Sequence, residues 1–409
     1  MQQEVHTSSL LSKVPAGVHI LAVGIFAMVM SEFATAGLMP QLSKGLQVST
    51  AEIGYLVTVF AVSMAVGGPV LVFILRKTDP KTSLILILVI FLMGNVVAVF
   101  AANFAMMVLA RVVTGAAAQA FLGSALSLCV ALVPEHMRGR AIGVAMNGLM
   151  LGTLLGLPVA TYIGGQLGWR YAFVAITAVA AGAGLLFVFF GTAVGYQQPE
   201  ARTDSSQPLT VLKQPQLILA LLSSTLIIGS TFSAFNFFAP ILTEIASVEL
   251  EAVPLLLLAH GAASLLGNWI VSRLADKHTV LVLLAGTSLN GMLLLGFTLW
   301  TSTQPAAVFF MIAIGITGIT LNPAMTIRIH RAAGNASPLI NTIHSSFISL
   351  GIIISSAAGS ALVSRFGLHS TLILGITLAV LAITAILPAL SSPYIRTGQK
   401  PAPLAEASG

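Results

Sequence analysis

The sequence predicts an all-α polytopic membrane protein: twelve transmembrane helices arranged as two pseudo-symmetric six-helix bundles. Three observations predict it: a composition poor in charge, apolar runs of membrane-crossing length along the chain, and an internal repeat with an offset near 200 residues.

Of 409 residues, 57% are hydrophobic and 7% are charged, whereas a soluble domain carries charge on roughly a quarter of its residues. The net charge of +6 would suggest nucleic acid in a soluble chain. In a membrane protein, Lys and Arg collect in cytoplasmic loops for topological reasons, so no nucleic-acid partner is implied. The single cysteine, Cys129 in SLCVAL, excludes an intramolecular disulfide and any Cys-based zinc or iron–sulfur site within one chain. No metal or cofactor is expected. The opening MQQEVHTSSLLSKVPAG lacks a basic-then-apolar signal with a small-residue cleavage site and reads as a cytoplasmic tail.

A helix needs about 20 apolar residues to cross the hydrocarbon core. Runs of that length fall at 17–39, 51–75, 82–102, 104–131, 141–164, 171–194, 216–241, 252–274, 279–300, 305–327, 338–362 and 368–390. Placing both termini and the even-numbered connections in the cytoplasm puts fourteen of the eighteen basic residues there, leaving Lys44, Arg111, Arg170 and Arg365. Glu244, Glu249 and Glu251 then fall outside, as the positive-inside rule expects. The polar stretch GYQQPEARTDSSQPLTVLKQPQ, 195–216, reads as a linker. The expected organisation is a cytoplasmic tail 1–16, a first half 17–194, a cytoplasmic linker 195–215, a second half 216–390 and a cytoplasmic tail 391–409.

A shift of 200 lays FATAGLMPQLS over SAFNFFAPILT and pairs Pro40 with Pro240, Gly67 with Gly267, Lys77 with Lys277 and Gly115 with Gly315. A shift of 199 pairs Gly152 with Gly351 and Gly168 with Gly367. Two parallel repeats with a substrate site at midplane are one architecture of secondary transporters. Glu32 falls opposite Phe232, so the carboxylate belongs to one half only and is not demanded by the fold.

The motifs resemble the major facilitator superfamily over 17–390. GNWIVSRLADK (267–277), read as the loop after the eighth helix, is similar to that family's glycine, Arg-Leu-Ala-Asp-basic signature, with Arg273, Asp276 and Lys277 in place. Its counterpart GGPVLVFILRKTDPK (67–81) is degenerate, with Arg76 where the repeat would put the aspartate. ARVVTGAAAQA (110–120) resembles the family's Arg-x-x-x-Gly motif, and GTLLGLPVATYIGG (152–165) its antiporter motif, carried by Gly152, Gly156 and Pro158. With EF-x-x-x-GL-x-P at 32–40 and PEHMRGRA at 134–141, the chain looks most like the bacterial drug:proton antiporter branch that includes arabinose- and sugar-efflux-like members. The resemblance implies an inner-membrane transporter that exchanges protons for a small organic solute.

Each candidate also has a plainer reading. Gly148, Gly152 and Gly156 form a small-residue ridge, and Pro158 permits a bend; together they suit either a rocking interface or simple tight packing. Arg273, Asp276 and Lys277 suit a conformational latch or a solvated topological cluster. His260 and His344 could relay protons or line a cavity, or be neutral and bonded to a neighbouring helix. Phe232, Phe235, Phe237 and Phe238 with Asn236 could hold a ring-bearing solute, or be packing residues. Glu32 and Arg111 carry the strongest signal, because a charge at helix centre costs about 2.5–3.5 kcal/mol even on a permissive scale. Glu32 lies eight residues before Pro40, and Arg111 eight after Asn103, so both lie ~12 Å below the outer surface and could face each other. They suit a proton-coupling pair or a static ion pair.

The functional expectation is a secondary transporter working by alternating access, exporting a drug, sugar or nucleoside-like solute against protons, as a monomer in the lipid bilayer of a bacterial inner membrane. Proton-coupled uptake is the rival reading. An ATP-driven pump is disfavoured because no GxxxxGK[ST] loop is present. An enzyme is not expected, since HExxH is absent and Asp79, Asp204 and Asp276 fall in expected loops. A channel lacks a ring-forming filter signal.

Overall fold

The computed structural model describes residues 14–190, 214–333 and 338–390. The tails and most of the 195–215 linker lie outside the described residues. Every regular element among the described residues is helical, and eleven helices are long and apolar enough to cross a membrane. They are α1 Ala16–Gly37, α2 Thr50–Leu75, α3 Pro80–Val99, α4 Phe104–Ala131, α5 Arg138–Gln166 and α6 Trp169–Phe190, then α7 Pro215–Ile245, α8 Val253–Trp300, α9 Gln304–Ala333, α10 Pro338–Phe366 and α11 His369–Leu390. The chain is a multi-pass membrane protein.

The count differs from the sequence reading because the expected spans 252–274 and 279–300 are continuous in α8. Its 48 residues would reach ~72 Å, more than twice the ~30 Å hydrocarbon core. One residue interrupts it: His278 is non-helical, with φ −129° and ψ 39°. GNWIVSRLADK is therefore helical up to that break and not a loop.

Helix starts follow local chemistry. At α2, Ser49 and Glu52 form a capping box in which the Ser49 N–H donates to the Glu52 carboxylate at 2.8 Å. Asp79 caps α3 ahead of Pro80. Asn103 caps α4 by accepting from the Met106 N–H at 2.9 Å. Wide π-turns at Ser63–Gly67 and Gly152–Gly156 directly precede Gly68-Pro69 and Leu157-Pro158. Proline has no N–H to return to the preceding turn, which loosens the ladder there. In α9, Gly318 takes φ +75° between Gln304–Ile314 and Asn322–Ala333. A side chain there would collide with Thr231, so glycine serves both the turn and the approach of α7.

By their internal contacts the residues divide into two compact units. Among the described residues, unit 1 comprises 14–190 with Glu249–Leu258, and unit 2 comprises 214–248 and those from Ala259 onward. The repeat reappears as packing inside each. In unit 1 Gly115 seats α4 against the Phe60 carbonyl and Ser63; in unit 2 Gly315 seats α9 against the His260 carbonyl and Ala263. Gly67 meets Ala116, and Gly267 meets Ile316. Gly152 meets Val29 and the Phe26 carbonyl, and Gly351 meets the Thr225 carbonyl and Gly229. Each matched contact keeps the offset of 200 or 199. Without a hydrophobic drive between helices in lipid, such close approaches are what hold them together.

Gly148 lies against the main chain of Ala22, whereas no heavy atom would lie within 4 Å of a side chain at Gly165. Overpacking costs about 1–3 kcal/mol. Gly148→Val is therefore expected to lower the apparent melting temperature of detergent-purified protein by several degrees, while Gly165→Ala leaves it unchanged. An unshifted Gly148→Val would contradict the α1–α5 seat.

Candidate functional site

In unit 1, α1, α2 and α4 meet around Arg111, which is 1% exposed. Its Nη1 donates to the Ser31 carbonyl at 2.8 Å and its Nη2 to the Glu32 carbonyl at 3.2 Å. Its Cζ lies 3.9 Å from the centroid of the Phe60 ring. Burying a guanidinium is tolerable here because two carbonyl dipoles and a π face replace water.

The structure thus brings Glu32 and Arg111 together, but in a different way from the facing charges the spacing suggested. The guanidinium grips the main chain of residue 32 and not its carboxylate, and no ion pair within 4.0 Å joins the two side chains. The Glu32 side chain is partly buried, and its carboxylate has no hydrogen-bond partner among the described residues. On the same stretch, Ser31 Oγ, Thr35 Oγ1 and both amide atoms of Gln41 are buried and unpartnered, as is Arg111 Nε. These make up five of the eleven such atoms among the described residues. Native proteins hydrogen-bond nearly all buried polar groups, so the four such atoms on SEFATAGLMPQ, with Arg111 Nε facing the same stretch, mark it out.

Unit 2 fills the corresponding positions differently. Positions 32, 60 and 111 become Phe232, His260 and Met311 at the 200-residue offset. His260, 4% exposed, places Nδ1 2.8 Å from the Met311 carbonyl. A carbonyl only accepts, so Nδ1 carries the proton and Nε2 presents a lone pair in the neutral ring. Phe235 and Phe238 lie 5.7 and 5.1 Å from the His260 ring, and Phe232 and Phe297 extend the cluster. Phe237 packs instead against Gly359 of α10. All four α7 phenylalanines are buried, so none is spent on lipid. Asn236 is 1% exposed, and its Nδ2 has no partner. The structure does not join His344 to this cluster: it is buried on α10, with Nε2 unpartnered.

The remaining candidates fall in two places. Gly148, Gly152 and Gly156 all face α1, at Ala22, Val29 and Met30, and Pro158 is buried. Arg273 stacks on Trp269 at 3.9 Å, and the Asp276 carboxylate has no partner among the described residues. Its carbonyl accepts from Arg331 Nη2 at 2.7 Å, while Arg331 Nη1 donates to Thr279 Oγ1 at 2.9 Å.

Sequence reasoning placed Arg328 and Arg331 in a cytoplasmic connection; both lie in the last helical segment of α9, Asn322–Ala333. Arg328 is 3% exposed and donates to Ser223 Oγ at 2.8 Å and to the Ala385 carbonyl at 3.2 Å. The repeat could have flagged it, because it falls opposite Leu128. A buried network was also missed. Thr317 Oγ1 donates to Asn290 Oδ1 at 2.8 Å, Asn290 Nδ2 to Ser230 Oγ at 2.9 Å, and Ser230 Oγ to the Gly375 carbonyl at 2.7 Å. An asparagine within the apolar SLNGML was its available signal.

The family model of the Major Facilitator Superfamily matches residues 21–338. The chain belongs to the Major Facilitator Superfamily. It is thus a member of a family of membrane transporters for small-molecule solutes, not of enzymes, as its motifs implied. Among its relatives, the inner membrane transport protein YdhP of Escherichia coli (strain K12) is 28% identical over 367 residues, spanning 90% of this chain and 94% of its own. The chloramphenicol resistance protein of Streptomyces lividans is 30% identical over 388 residues, spanning 93% and 96%. Among solved structures, a bacterial homologue of the human lysosomal transporter Spinster, in an inward-facing and unoccupied conformation, superimposes with a TM-score of 0.73 at 15% identity. It covers 91% of this chain and 96% of its own, a likeness of fold.

Lysine keeps the charge of Arg111 but cannot fork to two carbonyls while lying over a ring. Arg111→Lys is expected to lose about 1–3 kcal/mol of stability, read as a lower apparent melting temperature, whereas Arg170→Lys, on the same scaffold but with a single carbonyl bond to Ala101, should lose less. Equal shifts would contradict the three-helix role of Arg111.

Proposed function

We propose that the chain is a proton-coupled antiporter that exports a small organic solute, with Glu32 as the group that binds the coupling proton. The observation that carries this reading is the unpartnered carboxylate of Glu32, held beside a guanidinium that is itself fixed on the main chain of the same turn. Apolar surroundings favour the neutral acid and the guanidinium favours the carboxylate. A change in hydration or separation between outward- and inward-open states would tip that balance. Facing the more acidic side Glu32 takes up a proton; facing the cytoplasm it releases it, and solute occupies the site while the carboxylate is charged.

The finer architecture belongs to the same reading. Split at His278, α8 contributes two spans and brings the total to twelve, six in 17–194 and six in 216–390, joined by the 195–215 linker. Both termini then lie in the cytoplasm of a bacterial cell, with the chain in the inner membrane. The matched glycine contacts of the two units support two related halves that exchange access by rocking. Phe232, Phe235, Asn236 and His260 are the proposed solute-facing set of the second half, with His344 a further candidate. Gly152, Gly156 and Pro158 are proposed to form the rocking seat, and Arg273, Asp276 and Lys277 the latch. A relative named for chloramphenicol resistance supports a drug-like solute and the outward direction.

The test is transport in proteoliposomes with a pH gradient as sole driver. Glu32→Gln keeps size and hydrogen bonding but cannot titrate. It is expected to fold, to bind neutral solute with wild-type affinity and to lose gradient-driven accumulation at least tenfold. Wild-type accumulation by well-folded Glu32→Gln protein would remove the proton role. Solute movement in the same direction as the proton would replace export with uptake.

A further inference from the structure

A cavity of about 420 Å³ opens at the end of unit 1 where α2, α3 and α4 converge. Organic ligands occupy pockets of roughly 300–1,000 Å³. Val72, Leu75, Ile87 and Leu128 form an apolar wall, and Arg76, Thr78, Ser124 and Ser127 form a polar one. None of the proposed transport residues lines it.

The polar wall is chemically one-sided. Arg76 supplies a guanidinium, which lies 3.9 Å from the centroid of the Phe73 ring, and no carboxylate lines the space among the described residues. The nearby acid, Asp79, is not among the lining residues and accepts from the N–H groups of Lys81 and Thr82, each at 3.1 Å, as the cap of α3. Lys77 and Lys81 add positive charge to the same turn. Ser83 Oγ is used on the Leu75 and Thr78 carbonyls. The hydroxyls of Thr78, Ser124 and Ser127 have no partner among the described residues, although helical hydroxyls elsewhere donate back along their own helix, as Thr114 and Thr161 do at 2.8 Å.

Comparison across the repeat shows that the fold does not require this lining. At the 200-residue offset Arg76, Ser124 and Ser127 become Asp276, Ala324 and Ile327. One half carries a cation and free hydroxyl donors where the other carries an acid and alkyl groups.

We propose that this groove binds an amphiphilic phosphate: a phosphate group held by Arg76 and the hydroxyls of Thr78, Ser124 and Ser127, with an apolar body along Val72, Leu75, Ile87 and Leu128. A guanidinium fork with hydroxyl donors matches the several acceptor oxygens of a phosphate. The same chemistry is offered by an anionic phospholipid headgroup and by a soluble phosphate ester carrying an apolar group. This site does not depend on the proton reading of Glu32.

The full chain would be studied in nanodiscs containing equal amounts of phosphatidylglycerol and phosphatidylcholine, with co-released lipid identified by native mass spectrometry. In a second arm, phenyl phosphate would be titrated against protein in phosphatidylcholine nanodiscs by thermal shift. Enrichment of phosphatidylglycerol supports the lipid as source, and a saturable shift with phenyl phosphate supports the soluble ester. Arg76→Gln is expected to weaken whichever signal appears about tenfold, the usual scale of a charge-assisted bond. Ser124→Ala/Ser127→Ala, which leaves every charge in place, should weaken it severalfold. If Arg76→Gln does not fold, Arg76→Lys replaces it and should also weaken the signal, because the fork is lost. Absence of both signals overturns the site. So does a signal that the double serine variant leaves unchanged, since that is the behaviour of a diffuse positive surface.

Discussion

The bonds from Arg111 to the carbonyls of Ser31 and Glu32 are the constraint on which the rest of unit 1 depends. A guanidinium removed from water must find dipoles or a counter-ion, and in lipid the cost of failing is severe. Here α1 supplies the dipoles and Phe60 of α2 supplies a π face, so one side chain of α4 fixes the register of three helices. The glycine ridge of α5 also presses on α1, at Ala22, Val29 and Met30. The turn carrying Glu32 is therefore held by two helices, α4 and α5. Because both Nη groups of the guanidinium are spent on main-chain carbonyls, the carboxylate is not consumed in an ion pair and stays available.

The two units share a scaffold and differ in its contents. Matched glycines bring matched helices close at an offset of 200 or 199, yet positions 32, 60 and 111 hold an acid, an aromatic ring and an arginine in one unit, and Phe232, His260 and Met311 in the other. Packing explains the glycines, because a side chain at those positions would collide with the facing helix. It does not explain the charged and hydroxyl-bearing residues found in one half only. Those are costly in a membrane protein, and their asymmetry is the clearest separation of function from fold available here.

Much of the fold was legible because crossing a membrane imposes long apolar runs, and because proline, glycine and capping residues punctuate them. The division at His278 was expected near its observed place but with a loop, since nothing in RLADKHTV shows that helix resumes after one residue. The interruption of α9 at Gly318 was not foreseen; the sequence there reads as continuously apolar, and the turn is set by the approach of Thr231 across the unit. At the candidate site, depth counting brought Glu32 and Arg111 together. It could not show that the guanidinium would choose carbonyls over the carboxylate, because that depends on angular placement around two helices. Arg328 was misplaced for a related reason: charge alone suggested a loop, whereas Ser223 and the Ala385 carbonyl give it a buried seat.

The claim that Glu32 is the protonatable group is tested most directly by infrared difference spectroscopy of the reconstituted protein as the pH is stepped, with wild type compared to Glu32→Gln. The account predicts a protonated-carboxyl stretching band in the wild type that rises and falls with pH and is missing from the variant. A wild-type spectrum with no such band, or one reproduced unchanged by Glu32→Gln, would contradict it.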